Sequence, residues 1–204
     1  MEYTLEEIKV IARALKEECP WSSSCVTDIK SKIKNHYLNK PLPKCCYCLR
    51  DFTGEFRLDI DIEHVLPKSI YKNCIFDLKN LSVACKRCNM KLKGSDLQFL
   101  NVDLKEKYGK WKHGYFHSRY YKFIHPNLDH VYDHISFYNT RVNDVNFKKY
   151  IPNPDSSKAL YTYEYFELNK LEGDNLTEMQ GGHITPKDTA LAQQIMEVFR
   201  KNGL

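Results

Sequence analysis

Two pairs of cysteines share the spacing Cys-x-x-Cys: Cys45 with Cys48, and Cys85 with Cys88. Such a turn offers two thiolates to one ion, and two turns complete a four-thiolate shell of the kind that zinc fills structurally. The spacing, found twice, points to metal rather than to two unrelated pairs of buried thiols. The chain holds eight cysteines; Cys19, Cys25, Cys46 and Cys74 lack the spacing and read as free thiols. Between the pairs lies Asp61-Ile-Glu-His-Val-Leu-Pro-Lys-Ser69, and after it Asn80 and Asn89. A neutral imidazole such as His64 can take a proton from water. A carboxylate such as Glu63 can hold a divalent cation, and a side-chain amide such as Asn89 can supply a second oxygen ligand. Together these are the parts for metal-assisted attack of water on a phosphodiester.

The elements that must position these groups follow from pattern. Phe56 to Ile62 alternates apolar and polar residues and predicts a strand that Pro67 stops. Leu81 to Ala84 predicts a short second strand, residues 68–79 a loop, and a helix follows from about Cys85. Strict alternation sends Glu63 and His64 to opposite faces, so the strand must twist, bulge or end there for both to serve one site. Asp61 shares the face of Glu63, as a further ligand or merely solvated. Upstream, Thr4 and Glu7 form a capping box for a helix over 4–19, and a second helix is expected from Asp28 to Leu38. Downstream, helices are expected over 96–108, 126–137 and 186–201, while 158–169 is β-rich in composition.

The order Cys-x-Tyr-Cys, Glu-His-Val-x-Pro-Lys-Ser, Asn-Leu and Cys-x-x-Cys-Asn over residues 45–94 resembles the HNH endonuclease family. The resemblance implies an α+β fold: a ββα-metal core over 41–95 braced by the zinc site of Cys45, Cys48, Cys85 and Cys88. An N-terminal helical arm over 1–40 and a C-terminal α+β extension over 96–204 complete the chain. It also implies roles: His64 as general base, Glu63 and Asn89 as ligands of a catalytic cation, and Asn80 as the residue that positions the hairpin and base. All-oxygen ligation favours Mg²⁺, with Mn²⁺ as substitute. Glu stands at 63 where Asp is common in the family. Lys68, Lys91 and Lys93 are candidates for phosphate contacts, Lys93 preferred because it lies one helical turn past Asn89. The layout is also similar to HNH subunits of bacterial Septu-type and retron-linked antiphage systems, on the short arm with Trp21, the Pro67-Lys-Ser segment and His125-Pro126-x-x-Asp129. That likeness implies DNA as substrate, an ATPase partner with an ABC or SMC-like fold, and a bacterial cytoplasmic setting.

The remaining readings bound the function. The 204 residues suffice for a buried core, and a net charge of +5 permits nucleic acid without requiring it. A mean hydropathy of −0.57 and the lack of a long apolar run argue against a membrane span. The opening residues show no charged-then-apolar export pattern. Residues 28–50 carry six Lys or Arg against one Asp, as a phosphate-facing surface or a solvated face. Residues 113–125 mix aromatic, basic and His side chains and read as a half-buried element with a wet edge. His130 and His134, four apart on the expected helix, are a possible metal pair. Segment 155–188 has seven acids against three lysines and suits a protein partner better than a phosphate backbone. The rival to a nuclease is a non-catalytic zinc module binding nucleic acid or protein, in which Glu63, His64 and Asn89 are incidental.

Overall fold

The computed structural model describes residues 1–142 and 145–172, together with positions 194 and 197. It forms two compact units, Met1–Val131 and Tyr132–Leu204. The expected helix over 186–201 lies outside the described residues apart from those two positions. The fold is α+β, with two small two-stranded sheets.

In the first unit, α1 runs from Leu5 to Ala14 behind the expected capping box: Glu7 N–H donates to Thr4 Oγ1 at 3.2 Å, and Thr4 N–H to Glu7 Oε2 at 2.7 Å. It ends at Ala14, short of residue 19, where Lys16 N–H on Arg13 O at 3.1 Å and Glu17 N–H on Ala14 O at 2.9 Å tighten the last turn. α2 spans Thr27–Leu38. Ile11 and Ala14 of α1 join Val26, Ile29, Ile33, Ile75, Phe76 and Leu81 in one apolar cluster. This cluster covers one face of the hairpin made by β1 (Ile60–His64) and β2 (Leu81–Cys85).

The hairpin is antiparallel, with register from Ile60↔Cys85 to His64↔Leu81. The strand begins later than its alternation suggests, since Arg57–Asp59 forms a 3₁₀ turn. Its ladder is unbroken and ends at His64. Glu63 and His64 therefore stay on opposite faces of β1, and the strand ends just after them. The opposite face meets a layer of aromatic rings, where Tyr47 packs on Phe123 at 5.5 Å and Phe123 on Phe99 at 4.5 Å.

After β2 the chain winds as a π-helix, Arg87–Lys93. It ends at Gly94, whose φ of +50° suits glycine and whose N–H donates to Asn89 O at 2.8 Å, five residues back. The expected helix over 96–108 shrinks to α3, Leu104–Tyr108, started where Asp103 caps Lys105 and Glu106. Residues 99–125, which the sequence reading groups with the extension, pack within the first unit. There Tyr115, Phe116, Tyr120, Tyr121, Phe123 and Ile124 are buried while His113, His117 and Arg119 stay exposed.

The second unit corrects two expectations. Residues 126–137 are not a helix: Val131–Asp133 is a 3₁₀ turn and Ile135 opens β3 (Ile135–Val142), paired with β4 (Val145–Pro152). The cross-strand pair Phe137↔Tyr150, with rings 4.8 Å apart, holds this hairpin. The β-rich stretch 158–169 is instead α4, Ser157–Tyr165. Ser156 Oγ caps Ala159 N–H at 3.1 Å, and Ala159, Thr162 and Phe166 are buried at helical spacing. Spacing and cap outweigh the aromatic composition.

Candidate functional site

The site is built on the ends of the β1–β2 hairpin. At one end Cys45, Cys48, Cys85 and Cys88 are all buried, with their sulfurs within 4.8 Å of one another. Among the described residues this is the group of acidic, His or Cys side chains that could hold a metal ion. The first pair sits in a turn that Leu49 closes: its N–H donates to Cys45 O at 3.0 Å with φ at +57°, and Cys45 N–H donates to Arg50 O at 2.9 Å. Cys46 points its N–H to Val83 O at 3.0 Å, which ties the turn to β2. The second pair straddles the start of the π-helix, and Cys85 N–H points to Cys45 Sγ at 3.4 Å.

A tetrahedral ion with zinc–sulfur bonds of about 2.3 Å needs sulfurs about 3.8 Å apart. Cys48 and Cys85 are 3.8 Å apart. Left to themselves the thiols sustain uneven ionisation. Hydrogen bonds from Cys45, Cys48 and Cys88 draw Cys85 far down, while burial, then Cys48 and Cys85, hold Cys45 up. Four thiolates in one pocket need a cation. The group could hold zinc, and Cys46 stands outside it.

At the other end of the hairpin stands His64. Its Nε2 lies 3.1 Å from Ile75 O. A carbonyl only accepts, so Nε2 carries the proton and Nδ1 keeps the lone pair. Burial, with Lys68 adding to it, pulls the imidazole down to about 3. His64 is therefore neutral across the ordinary range of pH. The carbonyl that fixes it is itself held. Asn80 Nδ2 donates to Cys74 O and to Leu66 O, both at 3.1 Å, while its Oδ1 accepts from Leu66 N–H at 2.7 Å. Asn80 thus clamps both ends of the loop from which Ile75 reaches His64.

On the other face of β1, Glu63 is fully buried. Its Oε1 accepts from Tyr47 OH at 2.9 Å and from Lys93 Nζ at 2.8 Å. Its Oε2 is buried without a hydrogen-bond partner. Burial raises this carboxyl, and the Lys93 ammonium opposes the rise. Asp61, two residues earlier on the same face, accepts from Asn89 Nδ2 at 2.9 Å. Asn89 thus reaches β1 beside Asp61 rather than Glu63.

Lys93 departs from its expected place. It is 2% exposed, and its Nζ donates to Glu63, to His64 O at 3.0 Å and to Gly94 O at 3.4 Å. The wider π turn carries it inward instead of along the surface face of Asn89. Lys68 and Lys91 are exposed. Several cations of the basic stretch are engaged within the fold: Lys32 pairs with Glu7 at 2.7 Å, Lys30 bonds Trp21 O at 3.2 Å, and Lys34 bonds Arg57 O at 2.5 Å. His130 and His134 lose the helical spacing that would make them a pair, and His134 Nδ1 meets Ser156 Oγ at 2.6 Å.

Sequence reasoning missed several contacts around these residues. Tyr47, read only as the filler of Cys-x-Tyr-Cys, reaches Glu63. Asn127 Nδ2 donates to the carbonyls of Leu81 at 2.7 Å, Lys79 at 3.0 Å and Leu78 at 3.4 Å, around Asn80. In the same His125-Pro126 turn, Asp129 accepts from His125 N–H at 2.7 Å. Trp21 lies edge-on to His64 with ring centroids 4.4 Å apart. No local pattern marks these long-range contacts; the motif His-Pro-x-x-Asp was the one signal that its turn does specific work.

Comparison with known proteins gives one partial likeness. A stretch of 67 residues is 40% identical to the Septu protein PtuB of Bacillus thuringiensis, covering 30% of this chain and 24% of that protein. The match thus spans about a quarter of the relative's length. No family model matches the chain. No solved structure matches it either. Among the described residues, no helix is long and apolar enough to cross a membrane.

Proposed function

We propose that the chain is a metal-dependent endonuclease of the HNH type, acting on the phosphodiester bonds of DNA within an antiphage defence system. The observation that carries this reading is the pairing of His64 with the Ile75 carbonyl, which leaves a neutral imidazole with Nδ1 as its basic atom. The partial likeness to a Septu protein supports the defence setting. The ATPase partner and the bacterial cytoplasm belong to the same reading.

In this mechanism His64 Nδ1 takes the proton of the attacking water, and Nε2–H on Ile75 O shares the positive charge that results. Asn80 keeps that carbonyl in place. Glu63 and Asn89, with Asp61 beside them, would hold a hard cation. The buried, unpartnered Oε2 of Glu63 and an all-oxygen donor set fit Mg²⁺ or Mn²⁺. When bound, the cation would offset charge on the scissile phosphate and the departing oxygen. His64 and these oxygen ligands lie on opposite faces of β1. The two faces meet where the ladder stops at His64↔Leu81, so a phosphodiester reaches both groups only around that strand end. Exposed Lys68 and Lys91 would meet the backbone of the nucleic acid.

The test is nicking of supercoiled plasmid by the full chain, with Mg²⁺ and with EDTA, for the native protein and for His64→Ala. Nicking that needs the cation and is lost in the variant is the expected result. Nicking by the His64→Ala protein sinks the mechanism. A second reading, a zinc module that binds without cutting, is favoured by the Glu63–Lys93 ion pair, which already neutralises the carboxylate. Binding of DNA in EDTA without nicking in either metal, alone or with its partner ATPase, selects it.

A further inference from the structure

The base proposed above is closed to solvent. His64 is 5% exposed, too little of the ring for a phosphate arriving with its hydration shell to reach. Two walls shut it in. One is the connection between β1 and β2, where Ile75 and Phe76 are buried and Asn80 ties down Cys74 O. The other is the turn Pro20–Ser22, which lays the Trp21 indole against the imidazole at 4.4 Å and an interplanar angle of 84°.

The two walls differ in how firmly they are held. The first belongs to the central apolar cluster and is cross-linked by a buried amide. The second packs only against the edge of that cluster, through half-buried Trp21 and buried Pro20, and is otherwise held by Ser22 N–H to Cys19 O at 2.9 Å and by Lys30, whose Nζ bonds Trp21 O at 3.2 Å and lies 5.9 Å above the indole. Trp21 itself is only half-buried, and its other ring contact is Phe76 at 5.4 Å. Elements with few buried contacts open at the lowest free-energy cost.

We infer that Trp21 is a displaceable cover on His64, and that the imidazole reaches a phosphodiester only after the Pro20–Ser22 turn swings the indole away. The inference rests on the reading of His64 as the base, but the cover itself can be measured without any cleavage. With Trp21 in place the imidazole is shielded. With Trp21 displaced, the same imidazole, still fixed by Ile75 O, faces solvent and substrate.

The experiment uses the full chain and diethyl pyrocarbonate, which acylates accessible imidazoles, with site occupancy read by mass spectrometry. His113 and His117 are exposed and serve as internal references. Native His64 is expected to react far more slowly than either reference. In Trp21→Ala it reacts about tenfold faster, as a shift in the open population requires, with the references unchanged. In Trp21→Phe it stays close to native. If circular dichroism shows that Trp21→Ala is unfolded, Trp21→Leu, which keeps apolar contact with Phe76, takes its place.

An unchanged His64 rate in the folded variant puts the cover on the other wall and overturns the proposal. So does native His64 reacting as fast as His113. Plasmid nicking in Mg²⁺ then separates the two claims. Nicking by the folded Trp21 variant at or above the native rate supports a cover, and slower nicking with a more reactive His64 makes Trp21 a support of the base and overturns it. The labelling contrast without nicking by any form leaves the cover standing and removes the nuclease reading.

Discussion

Lys93 Nζ stands 2.8 Å from Glu63 Oε1, with both side chains closed to water. The ammonium also donates to His64 O and Gly94 O, so it joins the end of the π-helix to the end of β1. A buried pair contributes little net stability compared with an apolar isostere, but removing one partner strands the other. Lys93→Met should therefore lower stability by about 3–5 kcal/mol. Glu63→Gln in the same chain should recover much of the loss. Urea unfolding of both proteins is the measurement, and a loss below about 1 kcal/mol in Lys93→Met would show that the pair is not held as the structure has it.

The four-cysteine group predicts a metal dependence of the fold. Cys85→Ser with Cys88→Ser should remove bound zinc by elemental analysis and broaden or lower the thermal transition, since ion binding adds directly to folding free energy. Cys46→Ser should change neither, because Cys46 lies outside the group.

The imidazole of His64 predicts a pH dependence of stability. Its folded value is drawn down to about 3 from an ordinary value near 6.5, with burial as the first cause. The unfolded chain therefore takes up a proton before the folded one does. This contribution is present in full above about 6.5 and falls away as pH drops from there to about 3. The loss is on the order of a few kcal/mol. Urea titrations between pH 7 and pH 4 should show it, and His64→Gln should flatten the slope across that window. An identical slope in the variant would mean that the ring is solvated.

Asn127 holds three carbonyls around Asn80, so Asn127→Ala should loosen the loop that presents Ile75 O. Asn127 is exposed and water can take its place, so stability should fall by no more than about 0.5–1.5 kcal/mol. Any nicking activity should fall in kcat more than in KM, because the change acts on the base and not on substrate contacts. An altered KM with native kcat would assign Asn127 to binding instead.

Much of this was legible in the chain by itself, where information is local. Cys-x-x-Cys twice over specifies a four-sulfur group through turn geometry alone, and the Thr4–Glu7 capping box and the alternation around Ile60–His64 are statements about neighbours. Asn80 and Asn89 could be singled out by their order along the chain, though not what they touch. Composition misled where helical spacing and a cap were stronger, as in α4, whose tyrosines look β-forming until Ser156 and the stripe Ala159, Thr162, Phe166 are weighed.

Tertiary structure decided the rest. Whether Lys93 faces solvent or Glu63 depends on the π winding of Arg87–Lys93, which no propensity encodes. The meeting of Trp21 with His64, of Tyr47 with Glu63 and of Asn127 with the Asn80 loop joins residues 16 to 49 positions apart. Such contacts are chosen by how whole elements bury their apolar faces, and that choice is made by the packed chain rather than by any segment of it.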